Sequence, residues 1–371
     1  MRKSLRSPAW PDLAPCADLA PPAALALLAA LALHATACSG GGEGTSVTPP
    51  DPPPPPVEPP TRPVPCTFAN ATCQERVEIA SGLFLPAYST HLLSETHASV
   101  TRGLIVIHGN ARDPDNYFLS GLNAVARGGV SGSTAVVAPY FQTDDDAPES
   151  DEPFWSSPGW KRGNLSRPEG PSPRVSSYAA IDRIVEEFLD VARFPAIRDI
   201  VVTGHSAGGQ VVHRYAASST VQEEARDGVT FRYVVANPST YLYPGPEREN
   251  EAGNFAVPGG GCDDYDEWHY GLLDRNTWAE RLEPDTIRAL LSRRDVRILV
   301  GDADTLSASL DVNCGANLQG PNRYVRGRTI VRFMDALFVG HAHREMIVPG
   351  VGHSNRSMWL SSVGQESLFG N

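Results

Sequence analysis

Residues 200–218, IVVTGHSAGGQVVHRYAAS, run an apolar, strand-like stretch directly into G-x-S-x-G and then into a helix-periodic segment. A strand, a one-residue apex and a helix start packed into so few positions bring main-chain atoms close together. Side chains at the flanking Gly204 and Gly208 would collide there, so glycine is required. The apex residue, Ser206, is then held in a strained conformation with its hydroxyl exposed, the arrangement called a nucleophile elbow. A bare G-x-S-x-G arises often by chance; the strand before it and the helix after it give it weight.

The region from Cys66 to Asn371 has no further proline-rich linker and fits one domain. Hydrophobic periodicity predicts strands over 77–84, 89–100, 103–107, 135–138, 231–236, 296–300 and 345–348. It predicts helices over 178–192, 279–292 and 356–368. Strands alternating with helices indicate an α/β fold, a mostly parallel central sheet with helices on both faces. The stretch 241–294 is long for one connection and reads as a small cap insertion.

Ligands of such a sheet bind outside the carboxyl ends of its strands, and the polar clusters of this chain fall there. Asp304 follows the strand RILV and is the candidate acid, with Asp302 as its competitor; two aspartates after a strand also serve as plain turn formers. His353, in the glycine-flanked loop PGVGHSNR, is the candidate general base, because serine, acid, histidine is the chain order that the elbow geometry uses. His108-Gly109-Asn110-Ala111 follows the strand GLIVI. A main-chain N–H from Asn110 or Ala111, with that of Ala207, would form an oxyanion hole.

The HG, GHSAG, GDADT and GVGH segments, in that order, resemble the alpha/beta-hydrolase superfamily over most of residues 77–371. Within it the chain is similar to secreted or lipoprotein bacterial hydrolases, and more remotely to polyhydroxyalkanoate depolymerases and feruloyl or acetylxylan esterases. The resemblance implies carboxylic ester hydrolysis through an acyl-enzyme, with no cofactor. A serine peptidase or amidase of the same fold, and a non-catalytic surface binder, are the competing readings.

The N-terminus reads as an export signal over 1–37, basic at Arg2, Lys3 and Arg6 and then apolar. Ala35-Thr36-Ala37-Cys38 resembles a bacterial lipobox, which makes Cys38 the candidate lipidation site and anchors the protein to the cell envelope; secretion after cleavage nearby is the alternative. Residues 38–65 form a Gly/Pro-rich tether, with eleven prolines among the seventeen residues from Pro49 to Pro65, favouring an extended spacer. The formal charge is -12. So acidic a chain is a poor partner for nucleic acid or anionic lipid heads and disfavours a strongly anionic substrate.

In an oxidising compartment Cys66, Cys73, Cys262 and Cys314 form an even set, with Cys66–Cys73 and Cys262–Cys314 the favoured pairing by spacing. No metal-ligand spacing is present, and the acidic runs at 144–146 and 263–267 read as solvated faces rather than calcium sites. Trp155, Trp160 and Trp268 are candidates for stacking on substrate at the cleft mouth, against the plainer reading that they anchor a lid.

Overall fold

The computed structural model describes residues 62–370. The signal segment, Cys38 and most of the tether lie outside the described residues. Eight strands make one sheet: β1 (Gln74–Ala80), β2 (Leu83–Ser89), β3 (Arg102–Ile107), β4 (Thr134–Pro139), β5 (Asp199–His205), β6 (Thr230–Ala236), β9 (Val296–Gly301) and β10 (Arg344–Val348). Their order is β1-β2-β4-β3-β5-β6-β9-β10, and β7 (Arg248–Glu249) with β8 (Phe255–Ala256) forms a separate two-residue pair. β2 runs antiparallel to β1 and β4; from β4 to β10 every neighbouring pair is parallel.

Alternation along the strands builds two cores. Ile105, Ile200, Val202, Tyr233, Val235, Ile298 and Val300 face one side, where they pack with α2 (Ser177–Leu189), α3 (Ala207–Ser218), α4 (Pro284–Arg293) and α6 (Arg323–Leu337). Leu104, Val106, Val136, Val201, Val234 and Leu299 face the other, against α1 (Pro114–Arg127), α7 (Asn355–Leu360) and α8 (Ser362–Phe369). Strands buried on both faces favour apolar residues at successive positions, which is why Ile200–Val202 of β5 and Ile298–Val300 of β9 are unbroken apolar runs. Each such valine or isoleucine contributes about 2 kcal/mol of burial.

The structure departs from four expectations. The run 77–84 spans the turn between β1 and β2, where Gly82 takes a φ of +70°. Residues 90–100 are turns and bends rather than a strand: the Thr90 hydroxyl takes the Val136 N–H at 2.9 Å, and Leu92 O accepts from both Glu95 N and the His97 ring. Pro284, which has no N–H to extend a preceding helix, starts α4 afresh, leaving only a short 3-10 turn at Ala279–Arg281. Ser361 divides the last helix into α7 and α8, its hydroxyl capping the Gly364 N–H at 2.9 Å.

Cys66 is bonded to Cys73 and Cys262 to Cys314. The second bridge ties the 241–294 segment to α5 (Cys314–Asn317). Much of that segment is stitched into the main core through Tyr241, Leu242, Tyr243, Trp278 and Ile287, rather than standing apart as a lid. No helix among the described residues is long and apolar enough to cross a membrane.

Candidate active site

Ser206 follows β5 as the residue before α3, with φ 59° and ψ -117°, left-handed backbone in a non-glycine residue. Such a conformation costs of order 1–3 kcal/mol and persists because its surroundings leave no alternative. Those surroundings are glycine backbone. A Cβ on Gly204 would sit 2.4 Å from the Gly208 carbonyl carbon, and one on Gly208 would sit 2.2 Å from Ile107 O. The Ser206 N–H is spent on Ala236 O at 2.9 Å, which pins the apex to β6.

His353, from the loop after β10, brings Nε2 to 3.0 Å from Ser206 Oγ. Its Nδ1 lies 2.6 Å from Asp304 Oδ2. A carboxylate can only accept, so Nδ1 carries the proton and Nε2 is left with its lone pair toward the serine hydroxyl. Asp304 is 1% exposed, and its second oxygen faces Arg323 Nη1 at 3.6 Å. Asp302 is exposed and accepts the Gly350 N–H at 2.7 Å, so it shapes the loop that carries His353 instead of touching the imidazole. Asn237, at the end of β6 with φ 43°, accepts from Gly301 N and donates to Gly352 O, tying the β9 end to the same loop.

The loop after β3 is held from several sides. His108 is buried; its Nε2 accepts the Phe141 N–H at 3.0 Å, which leaves the Nδ1 proton for Gly109 O. Burial pushes its pKa down to about 4, so the ring stays neutral. Arg112 donates twice to Asp146, at 2.8 and 3.2 Å. Burial alone would raise the Asp146 carboxyl, but Arg112 and the Thr143 N–H hold it well below the usual range. Asp146, read from sequence as part of a solvated acidic face, is therefore a strut for this loop. The N–H groups of Asn110, Ala111 and Ala207 donate to no acceptor among the described residues, and all three residues border the cavities at Ser206.

Two cavities meet at Ser206. One, of about 410 Å³, is lined by Asn110, Ala111, Tyr117, His205, His353 and Asn355 among others. The other, of about 380 Å³, is lined by Asn110, Lys161, Arg162, Ala207, His269 and Asp311 among others. A larger cavity of about 640 Å³ lies against β1 and β2 and contains none of these groups; its Arg76 is already paired with Asp151 and Glu152.

The tryptophans correct the sequence reading. Trp155 and Trp160 are fully buried, Trp160 stacked on Phe141 and Trp155 edge-on to it, with the Trp155 indole donating to Val175 O at 3.1 Å. They anchor the 143–161 segment to the core and present no face to a substrate. Trp268 is half-buried and donates to Arg162 O at 2.9 Å, outside both cavities. Neighbours of the site that sequence reasoning passed over are Lys161 and Arg162, immediately after Trp160, and Arg323; a lone cation beside a tryptophan carries no motif. Cys262, Asp264 and Cys314 cluster, but the two sulfurs are bonded to each other and so are not thiolate ligands.

No family model matches the chain, and no curated protein matches it. Among solved structures it is similar to LpqC, a poly(3-hydroxybutyrate) depolymerase from Bordetella parapertussis, at 22% identity over 77% of this chain and 87% of that one, with a TM-score of 0.53. It is similar also to poly(aspartic acid) hydrolase-1 from Sphingomonas sp. KT-1, at 23% identity over 77% and 94% of the two chains, with a TM-score of 0.55. Together with the strand order, these likenesses establish the alpha/beta-hydrolase fold.

Proposed function

We propose that this chain of alpha/beta-hydrolase fold is a serine hydrolase that cleaves carboxylic esters through an acyl-enzyme. The observation that carries the reading is the unbroken hydrogen-bond chain from Ser206 Oγ through both His353 nitrogens to buried Asp304. As His353 Nε2 takes the serine proton, Oγ attacks the acyl carbon, and the imidazolium is stabilised by Asp304. The free N–H of Ala207, with that of Asn110 or Ala111, receives the charge that develops on the carbonyl oxygen, each such donor being worth about 3 kcal/mol. His353 then returns the proton to the leaving alcohol, and water, deprotonated by the same nitrogen, releases the acid.

His353 lines only the 410 Å³ cavity, so the leaving group belongs there, and the acyl group belongs in the 380 Å³ cavity beside Ala207. The reading also places the domain outside the cytoplasm, tethered through Cys38, which two disulfides favour; mass spectrometry of the mature N-terminus tests the tether. Activity is tested with Ser206→Ala: hydrolysis of 4-nitrophenyl acetate and labelling by a fluorophosphonate should both vanish. Wild-type turnover in that variant would reject the assignment, and faster cleavage of dipeptide amides than of esters by the unmodified protein would move it to the peptidases.

A further inference from the structure

The 380 Å³ cavity has a charge opposite to that of the whole chain. Lys161 and Arg162 line it, and Arg214 from α3 lies directly behind them, fully buried. Arg214 touches only neutral oxygens: the carbonyls of Lys161 and His269, the Gln210 amide and the Thr240 hydroxyl. The Arg162 guanidinium has no hydrogen-bond or ion-pair partner among the described residues. Lys161 donates to Asn110 Oδ1 at 2.9 Å, a neutral acceptor.

The one carboxylate lining the cavity, Asp311, is engaged by other donors: the Tyr270 hydroxyl at 2.7 Å and the Asn313 main-chain and amide N–H groups at 3.0 and 2.9 Å. His269 adds no charge, because burial and the neighbouring Arg214 keep it neutral. Burial also draws Lys161 down to about 8, helped by the repulsion of Arg162 and Arg214 and opposed by Asp311. Three cations thus gather around one carboxylate that none of them pairs with. Holding charge in a partly desolvated cavity without a partner is costly, and the cost is recovered when an anion fills it.

We propose that this cavity binds an acyl group ending in a carboxylate, so that the preferred substrates are monoesters of dicarboxylic acids, with Arg162 and Lys161 holding the distal carboxylate. The inference rests on the hydrolase reading above, which assigns the acyl group to this cavity. At 380 Å³ the space is near the small end for ligand sites and fits a short acyl chain. The overall negative charge of the protein does not oppose this, since charges beyond about 8 Å are screened at physiological salt while a cavity wall is not.

The test compares two esters of matched length, mono(4-nitrophenyl) adipate and methyl 4-nitrophenyl adipate, whose carboxylate is masked. 4-Nitrophenol release is read after subtraction of spontaneous hydrolysis. The expected kcat/KM ratio favours the free carboxylate by about tenfold or more, the worth of one charge-assisted hydrogen bond, and shrinks as salt approaches about 1 M. Arg162→Gln should bring the ratio to about one and Arg162→Lys should retain part of it; Lys161→Met serves if Arg162→Gln does not fold. A wild-type ratio of one or less, with turnover that still requires Ser206, overturns the cavity assignment and leaves the hydrolase reading standing. Fluorophosphonate labelling without turnover of either ester overturns it as well. Absence of both labelling and Ser206-dependent turnover removes the two readings together.

Discussion

Replacing Gly208 by alanine puts a methyl group where main chain already lies, 2.2 Å from the Ile107 carbonyl oxygen and 2.7 Å from that of His108. Both obstacles are backbone, so no side chain can rotate away. The first turn of α3 and the end of β3 have to separate by about 1 Å to restore ordinary contact. Ala207 sits on one side of that gap and Asn110 and Ala111 on the other, so the proposed oxyanion donors no longer converge on one oxygen. Loss of a donor lowers kcat by about 100-fold or more. Overpacking at backbone costs about 3 kcal/mol, which at roughly 2 °C per kcal/mol for a large domain lowers Tm by about 6 °C. The assay pairs kcat on 4-nitrophenyl acetate with thermal unfolding, and Gly132→Ala, a site open to solvent with nothing within 4 Å, is the control expected to leave both unchanged. A Gly208→Ala protein that keeps kcat within twofold and Tm within about 1 °C of the parent would refute the close-approach argument.

Asp304→Asn should lower kcat/KM by about 10⁴-fold by spoiling the imidazole tautomer, whereas Asp302→Asn, which removes a charge but keeps an oxygen able to accept the Gly350 N–H, should cost less than tenfold; the reverse order would reassign the acid. Opening the 262–314 bridge with paired alanines, which frees a loop of 52 residues, should cost about 4 kcal/mol by loop entropy, and an unchanged melting temperature would mean the segment is already fixed by its core contacts. Burial holds His108 at about 4 and His343 at about 3, so both are neutral in the folded protein but protonate in the unfolded chain below 6.5. Their contribution is therefore complete above pH 6.5 and is lost as pH falls toward 4 for His108 and toward 3 for His343, at about 1 kcal/mol per pH unit for each histidine. Urea midpoints that stay level between pH 6.5 and 4.5 would contradict the burial of these rings.

The central strands and the elbow were legible because their requirements are local. β5 carries the apolar run Ile200–Val202 and β9 the run Ile298–Val300, and Gly204 and Gly208 mark backbone contact that no other residue permits. The covering helices were less so. In α6, Arg323 and Arg326 point inward and are buried, donating to the carbonyls of Ala308, Ser309, Ser239 and Asp311, so the apolar stripe that would announce a helix is interrupted by charge. The tryptophans misled for the opposite reason: aromatic residues among aspartates look like a wet binding face, while Trp155 and Trp160 pack inward on Phe141, Asp146 turns to Arg112, and only Asp144 and Asp145 stay exposed. Sequence gives the type of a residue and its neighbours in the chain, but which side of a loop it faces is decided by distant packing.

The element hardest to read in sequence is also the one that supports the acid. Asp304 is buried, and a buried carboxylate facing only an imidazole would be costly to keep ionised. Arg323 supplies the opposing charge at 3.6 Å from Oδ1, yet it makes no close hydrogen bond there; its Nη2 donates instead to Ala308 O and Ser309 O at 2.9 Å. One guanidinium thus offsets the charge of the acid while leaving Oδ2 to His353. It also fixes the loop whose Ser309 borders both cavities at Ser206. The charge behind the imidazole and the wall in front of the serine are held by the same side chain, so the acid and the substrate space cannot be displaced independently.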